Sequence, residues 1–224
     1  MQNQSDQITW ATGDVPVSTR FDDPFFSLED GVAETRHVFL DGNNLPARFA
    51  PGFRIAELGF GTGLNLLVVW DAWMRSGQTT PLQFTSFEAY PMSPDDMMRA
   101  HQAFPSFDGR RDMFAKAWNG EGGVIALPGL HAEIICGDAR LTVPKWSNQA
   151  EAWFLDGFSP AKNPELWSEP LLAAVGQHTA PGGTAATYTA AGFVRRGLAQ
   201  AGFEVTRAPG FGRKRHMTCA KMAN

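Results

Sequence analysis

The feature that most constrains this chain is a run of nine residues, Glu57-Leu58-Gly59-Phe60-Gly61-Thr62-Gly63-Leu64-Asn65. Residues 53–60 read as a buried strand, and residues 63–75 read as a helix in which Leu64, Leu67, Val68 and Ala72 recur at near-helical spacing. A strand, a glycine-rich turn and a helix in that order begin an α/β unit. Glycine at alternate positions lets the backbone turn tightly and approach a ligand closely. A dinucleotide-binding turn would need a third glycine where Leu64 stands, and a Walker loop would need a Gly-Lys-Ser/Thr that does not follow.

The alternation continues. Strands are expected over residues 82–89, 133–137, 152–158 and 184–189, with the last following the Pro181-Gly182-Gly183 turn. Helices are expected over 94–104, with Ser93 as cap and Pro94 first, over 164–179, and over 190–201, stopped by Gly202. Segments 204–208 and 216–221 would close the sheet. This order predicts an α/β fold built on a mostly parallel, doubly wound sheet, with ligands bound beyond the carboxyl ends of its strands. Residues 1–50 differ. They are rich in turn formers such as Asp22-Asp23-Pro24 and Asp41-Gly42-Asn43-Asn44, with short runs between them, such as 35–40, that read as strands. They are expected to form a small N-terminal β-rich extension on a main domain of residues 51–224.

Composition narrows the class. Hydrophobic residues make up 43% of the 224 and charged residues 19%, which supports a sizeable core and excludes a disordered or fibrous chain. The strongest apolar run, residues 64–70, is too short to span a bilayer, and the polar residues 1–10 offer no signal-peptide core. The two cysteines, Cys136 and Cys219, sit in apolar, strand-like stretches and read as buried thiols of a cytoplasmic protein. The five histidines show no metal-ligand spacing, so no metal is expected. A net charge of −4 argues against coating nucleic acid with the whole surface but allows a local basic patch.

The acid-x-Gly-x-Gly-x-Gly pattern resembles the first motif of class I methyltransferases, whose loop holds the methionine part of S-adenosylmethionine. Other strand ends fit that reading. Glu88 closes the second strand, where a carboxylate can accept hydrogen bonds from two ribose hydroxyls. Gly137-Asp138-Ala139 closes the third, where an acid commonly faces the adenine amino group in this fold. The fourth strand runs into Trp153-Phe154-Leu155-Asp156-Gly157-Phe158-Ser159-Pro160-Ala161-Lys162-Asn163-Pro164. This places a carboxylate, an aromatic ring and a proline-stiffened loop where a methyl acceptor would sit. A primary alkylamine with a pKa of about 10.4 is neutral in roughly one molecule per thousand at pH 7. Asp156 is suited to attract and orient such an amine and to take or relay its proton as a general base.

With these segments in place, nearly the whole chain is similar to the methyltransferase component of the enzyme that makes 5-methylaminomethyl(-2-thio)uridine at the tRNA wobble position. The likeness runs from Pro16-Val17-Ser18 and Phe21-Asp22-Asp23 through Glu34-Thr35-Arg36, the glycine loop, Ser86-Phe87-Glu88 and the Asp156 segment. It ends in Ala191-Gly192-Phe193-Val194-Arg195-Arg196-Gly197-Leu198 and Gly210-Phe211-Gly212-Arg213-Lys214-Arg215. The resemblance implies a Rossmann-like domain with an antiparallel last strand and S-adenosylmethionine as cofactor. It implies cofactor contacts from Glu57, Gly59, Phe60, Gly61, Thr62, Gly63, Asn65, Glu88, Asp138, Ala139 and Asp156, with Asp156 also facing the amine. The implied reaction is methyl transfer to the aminomethyl group of a wobble uridine. Familiar members carry a flavin-dependent oxidase domain that prepares this substrate, and no flavin fingerprint follows the closing strand here; either the chain stands alone, with an upstream oxidase as an expected functional partner, or it is a piece of a longer protein.

Phosphate contacts are expected from Arg195, Arg196, Arg213, Lys214 and Arg215, with Lys162 beside the catalytic loop. Phe158 and Tyr188 are candidates to stack on an unpaired base. Two other readings compete. One is a methyltransferase for a small-molecule or protein amine, in which the basic loop has no role. The other is a non-catalytic module that binds cofactor or RNA without turnover.

Overall fold

In the computed structural model, residues 8–223 are described; residues 1–7, at the head of the expected extension, lie outside the described residues. The chain begins with β1 (Ile8–Ala11), β2 (Val15–Ser18) and β3 (Asp23–Pro24), an antiparallel sheet of three short strands, and then α1 (Gly31–Thr35). The α/β region follows: β4 (Arg54–Leu58), α2 (Leu64–Arg75), β5 (Leu82–Glu88), α3 (Pro94–Ala100), α4 (Asp108–Ala117), β6 (Gly123–Leu127), β7 (Leu130–Cys136), α5 (Ala139–Thr142), β8 (Ala150–Leu155), α6 (Glu169–Gln177), β9 (Thr179–Thr187), α7 (Gly192–Gln200), β10 (Phe203–Pro209) and β11 (His216–Met222).

The main sheet has the order β10-β11-β9-β8-β4-β5-β7-β6. Its five central strands are parallel, and β11 inserts antiparallel between β9 and β10. Successive side chains of a strand point to opposite faces. On β8, Ala152 and Phe154 pack into one core with α2, while Trp153 and Leu155 pack into the other with α6 and α7. This is the doubly wound Rossmann-like sheet expected from the sequence, with its antiparallel closing strand and a small β-rich extension before it. From β4 the chain winds outward through β5 to β7, then returns to β8 on the other side of β4. The order therefore reverses between β4 and β8, where such sheets open a crevice.

Three local expectations are corrected. Residues 35–40 are not a strand. Asp30 caps α1 by accepting from the Ala33 N–H at 2.8 Å, and the chain continues helically through Arg36–Leu40. Thr35, Val38 and Phe39 are buried at the i, i+3, i+4 spacing of a helix, which overrides the strand preference of their β-branched and aromatic side chains. Second, β6 is an antiparallel edge strand preceded by α4, neither of which the sequence reading had placed. Third, both cysteines are free but only partly buried. No helix among the described residues is long and apolar enough to cross a membrane.

Candidate active site

The strand ends are stitched together beyond the sheet. The Gly59 N–H donates to Phe87 O at 2.9 Å, that of Asp156 to Leu58 O at 3.0 Å, and that of Gly137 to Glu88 O at 2.8 Å. The turn after β4, the acid after β5 and the acid after β8 thus share one rim. All three loop glycines have positive φ, +86° at Gly59, +54° at Gly61 and +70° at Gly63. At Gly59 a Cβ would lie 2.4 Å from Asp156 O, so only glycine lets the loop lie against the Asp156 segment.

Over this rim opens a cavity of about 730 Å³, within the range of small-molecule sites. It is lined by Gly59, Phe60, Gly61, Thr62, Asn65, Glu88, Asp138, Ala139, Asp156, Phe158, Tyr188, Arg213 and Lys214 of the residues expected from sequence. Glu57 and Gly63 stand behind it. Lys162, Arg195, Arg196 and Arg215 do not line it. Its walls carry seven carboxylates and four cationic side chains, a balance that favours cationic ligands.

A hydrogen-bonded relay runs under the floor. Asn65 Nδ2 donates to both Glu57 Oε1 at 2.9 Å and Asp156 Oδ2 at 2.6 Å. Asn65 Oδ1 accepts from the Thr35 hydroxyl at 2.8 Å, and Glu57 Oε2 accepts from the Ser86 hydroxyl at 2.6 Å. With both amide hydrogens committed, Asn65 positions Asp156 rather than reaching into the cavity as a donor. Burial raises the Glu57 carboxyl well above the ordinary range, against the opposing hydrogen bonds from Ser86 and Asn65. Burial also pushes the Asp156 carboxyl up to about 7; the negative charge of Glu34 adds to this, while Asn65 and Lys214 oppose it.

The cofactor half has a different character. Glu88 Oε2 accepts the Gly61 N–H at 3.0 Å and Oε1 accepts the Tyr90 N–H at 2.7 Å. The backbone N–H groups of Phe60 and Ala89 act on the same carboxyl. Burial raises this carboxyl too, with backbone N–H donors working against the shift. Asp138 caps α5 and is held by the Arg140 guanidinium, at 2.6 Å from Arg140 NH2 to Asp138 Oδ2, which keeps its carboxyl below the ordinary range. A glycine turn at positive φ, a cavity-lining acid held by backbone N–H groups and an ionised acid at the far end suit a nucleoside with a charged amino-acid tail.

One wall comes from the extension, which the sequence reading left without a role. Arg20, Phe21, the 23–29 segment and Glu34 all line the cavity. The wall is fastened to the loop after β8. Asp23 Oδ2 accepts the Ser159 N–H at 2.9 Å, and Lys162 pairs with Asp22 at 3.3 Å and Asp23 at 3.6 Å. Phe158 stacks on Phe21 at 4.8 Å and meets Phe25 edge-on at 5.1 Å. Lys162 and Phe158, read from sequence as substrate contacts, both hold this wall, and Phe158 also lines the cavity. Arg20 lies over the Tyr90 ring, 4.4 Å from its centroid. The only sequence signal for this wall was the run of aromatics directly after Asp22-Asp23-Pro24.

The basic residues separate. Arg213 is almost fully exposed and pairs with Glu29 at 3.3 Å, and Arg215 is exposed beside it. On α7, Arg195 is half-buried and Arg196 is exposed.

A family model described as S-adenosyl-L-methionine-dependent methyltransferase matches residues 111–223, half of the chain. The glycine loop lies before the matched stretch. Among solved structures, MNMC2 from Aquifex aeolicus superposes with a TM-score of 0.80 over 97% of this chain and 70% of that one, at 23% identity. Spermidine synthase from Thermotoga maritima gives 0.58 over 93% and 64%, at 12% identity. A methyltransferase from Pyrococcus furiosus gives 0.50 over 88% and 85%, at 11% identity. These likenesses are of fold.

Proposed function

The chain belongs to the S-adenosyl-L-methionine-dependent methyltransferases, and from that membership we propose that it methylates the primary amine of a 5-aminomethyl-(2-thio)uridine at the wobble position of tRNA. The observation that carries the proposal is Asp156. It stands at the topological switch point, is gripped by Asn65 at 2.6 Å, and has its carboxyl pushed up to about 7 in an acidic cavity. A general base works best with a pKa near the operating pH.

When bound, S-adenosylmethionine supplies a methyl group on a positively charged sulfur. The residues that would hold it are the glycine loop for the amino-acid tail, Glu88 for the ribose hydroxyls, and Asp138 with Ala139 for the adenine. Asp156 draws in the substrate ammonium by charge, accepts its hydrogen bond, and takes a proton so that a nitrogen lone pair becomes available. Asn65 holds the other carboxylate oxygen still while this happens. The wall from Arg20 to Glu34 keeps water from the pocket. We take residues 1–50 as an extension and 51–224 as the methyltransferase domain, with that wall as the extension's contribution to the site.

The rest of the tRNA would contact the rim. Exposed ion pairs are worth about 0–1 kcal/mol, so Arg213 can exchange Glu29 for a phosphate at little cost. Arg215 lies on the same loop. Arg195 and Arg196 would contact backbone further from the reacting base. The Aquifex neighbour shares this fold over 97% of the chain, the extension included. The aminomethyl group must be made by an earlier reaction, which we assign to a flavin-dependent oxidase acting before this enzyme in the cytoplasm.

The test is transfer of label from S-adenosylmethionine to tRNA carrying 5-aminomethyluridine at the wobble position, against the same tRNA carrying uridine. Label on the modified tRNA alone is expected. Label on neither would overturn the substrate and point to a small-molecule or protein amine.

A further inference from the structure

Lys214 carries an ammonium group into the cavity from the loop between β10 and β11. Its Nζ donates to Glu34 Oε1 at 2.7 Å and lies 4.1 Å from the centroid of the Tyr188 ring. Neither partner is loose. Glu34 sits on α1 with its side chain 14% exposed, and the Tyr188 hydroxyl donates to Gly157 O at 2.8 Å, one residue beyond Asp156. A carboxylate oxygen on one side and an aromatic face on another are the recognition elements of a primary ammonium.

The four side chains share one field. The Asp156 carboxyl is acted on by both the Glu34 and the Lys214 charge. Tyr188 is raised first by burial and then by the carboxylates of Asp156, Asp23 and Glu34, which marks the potential at its hydroxyl as negative. All four line the same cavity.

We propose that Glu34 and Tyr188 form an alkylammonium subsite beside Asp156, and that Lys214 occupies it until the substrate's own amine displaces it. The inference rests on the amine-methylating reading above and names the group that recognises the amine. A lysine side chain ends in a methylene carrying an ammonium, and so does an aminomethyl substituent. The exchange is therefore neutral in charge and conservative in shape: one primary ammonium leaves Glu34 and the Tyr188 face as another arrives. Lys214 is free to leave because its side chain is 46% exposed on a surface loop. Glu34 is thus a specificity-determining residue, and Lys214 is a resident competitor for the subsite.

The experiment uses the full chain saturated with S-adenosylhomocysteine and titrated with propylammonium, followed by NMR chemical shifts. Lys214→Met should bind propylammonium about tenfold or more tighter than the unaltered protein, since the charged hydrogen bond to Glu34 becomes vacant. Adding Glu34→Gln to that variant should return the affinity to the weak level. Equal affinity with and without Lys214, or tight binding that survives Glu34→Gln, would overturn the subsite. S-adenosylhomocysteine affinity serves as the folding check for each variant, with Lys214→Gln as the substitute if Lys214→Met fails it. In steady state with aminomethyl tRNA, Glu34→Gln should raise KM for tRNA by about tenfold while kcat changes much less. The propylammonium titration needs no tRNA, so failure of the tRNA substrate and failure of the subsite give different results.

Discussion

Asn65 holds Asp156 through a 2.6 Å hydrogen bond, and the same amide group grips the buried Glu57 at 2.9 Å. With Thr35 donating to its oxygen at 2.8 Å, Asn65 has one workable orientation. Flipping the amide would set its oxygen against two carboxyl groups and lose both donations.

Asn65→Leu should therefore damage both the fold and the reaction. Glu57 is fully buried and would lose a donor, and Thr35 would lose its acceptor. A buried polar group left without its partner costs about 1–3 kcal/mol, so a clear drop in Tm is expected by calorimetry. The methyl-transfer rate of the remaining folded protein should fall as well, because Asp156 is no longer aligned.

Asp156→Asn should lower methyl transfer by roughly two orders of magnitude or more, the usual scale of acid–base catalysis, while cofactor binding persists. It should also stabilise the protein. The folded carboxyl is raised to about 7 while an unfolded aspartate titrates near 3.9, so the folded state is disfavoured once the pH passes the unfolded value. That cost grows up to about pH 7 and is then constant. The gain in Tm should be a few degrees at pH 8 and smaller at pH 5. A Tm gain that is the same at both values would contradict the raised carboxyl.

The pH profile of the unaltered enzyme follows from the same group. Below about pH 7 Asp156 holds its proton and cannot accept one from the amine, so kcat/KM for the tRNA should rise from pH 6 to pH 8. Glu34 raises the Asp156 carboxyl and Lys214 lowers it, so Glu34→Gln should move the inflection to lower pH and Lys214→Met to higher pH. A profile indifferent to both would separate Asp156 from proton transfer.

Glu88→Ala should weaken the cofactor by about tenfold or more as measured by titration calorimetry. It removes the acceptor of the Gly61 N–H and the proposed ribose contact together. The maximal rate at saturating cofactor should change less. Unaltered affinity would reject the ribose role.

Arg213→Ala with Arg215→Ala should flatten the salt dependence of tRNA binding. Each phosphate contact removed should reduce the slope of log K against log salt by about one or slightly less. S-adenosylhomocysteine affinity should be retained.

Much of this was legible in the sequence because it follows from short-range rules. The glycine turn after β4, the acids ending β5 and β8, and the Ser93 cap, which accepts the Asp96 N–H at 3.2 Å, each declare themselves within a few residues. What stayed hidden depends on distant partners. Glu34 acquires a role only when Lys214, 180 positions later, folds onto it. Lys162 reads as a free cation beside the catalytic loop until Asp22 and Asp23 are brought to it. Residues 35–40 read as a strand because composition was weighed over the three-residue spacing of Thr35 and Val38.

The walls of the cavity run from Arg20 to Lys214 along the chain. The glycine loop and the Asp156 segment follow β4 and β8, while Tyr188 and Lys214 come from the stretch after β9. The pocket is therefore a closure between walls distant in sequence, which meet through Glu29–Arg213 and Glu34–Lys214.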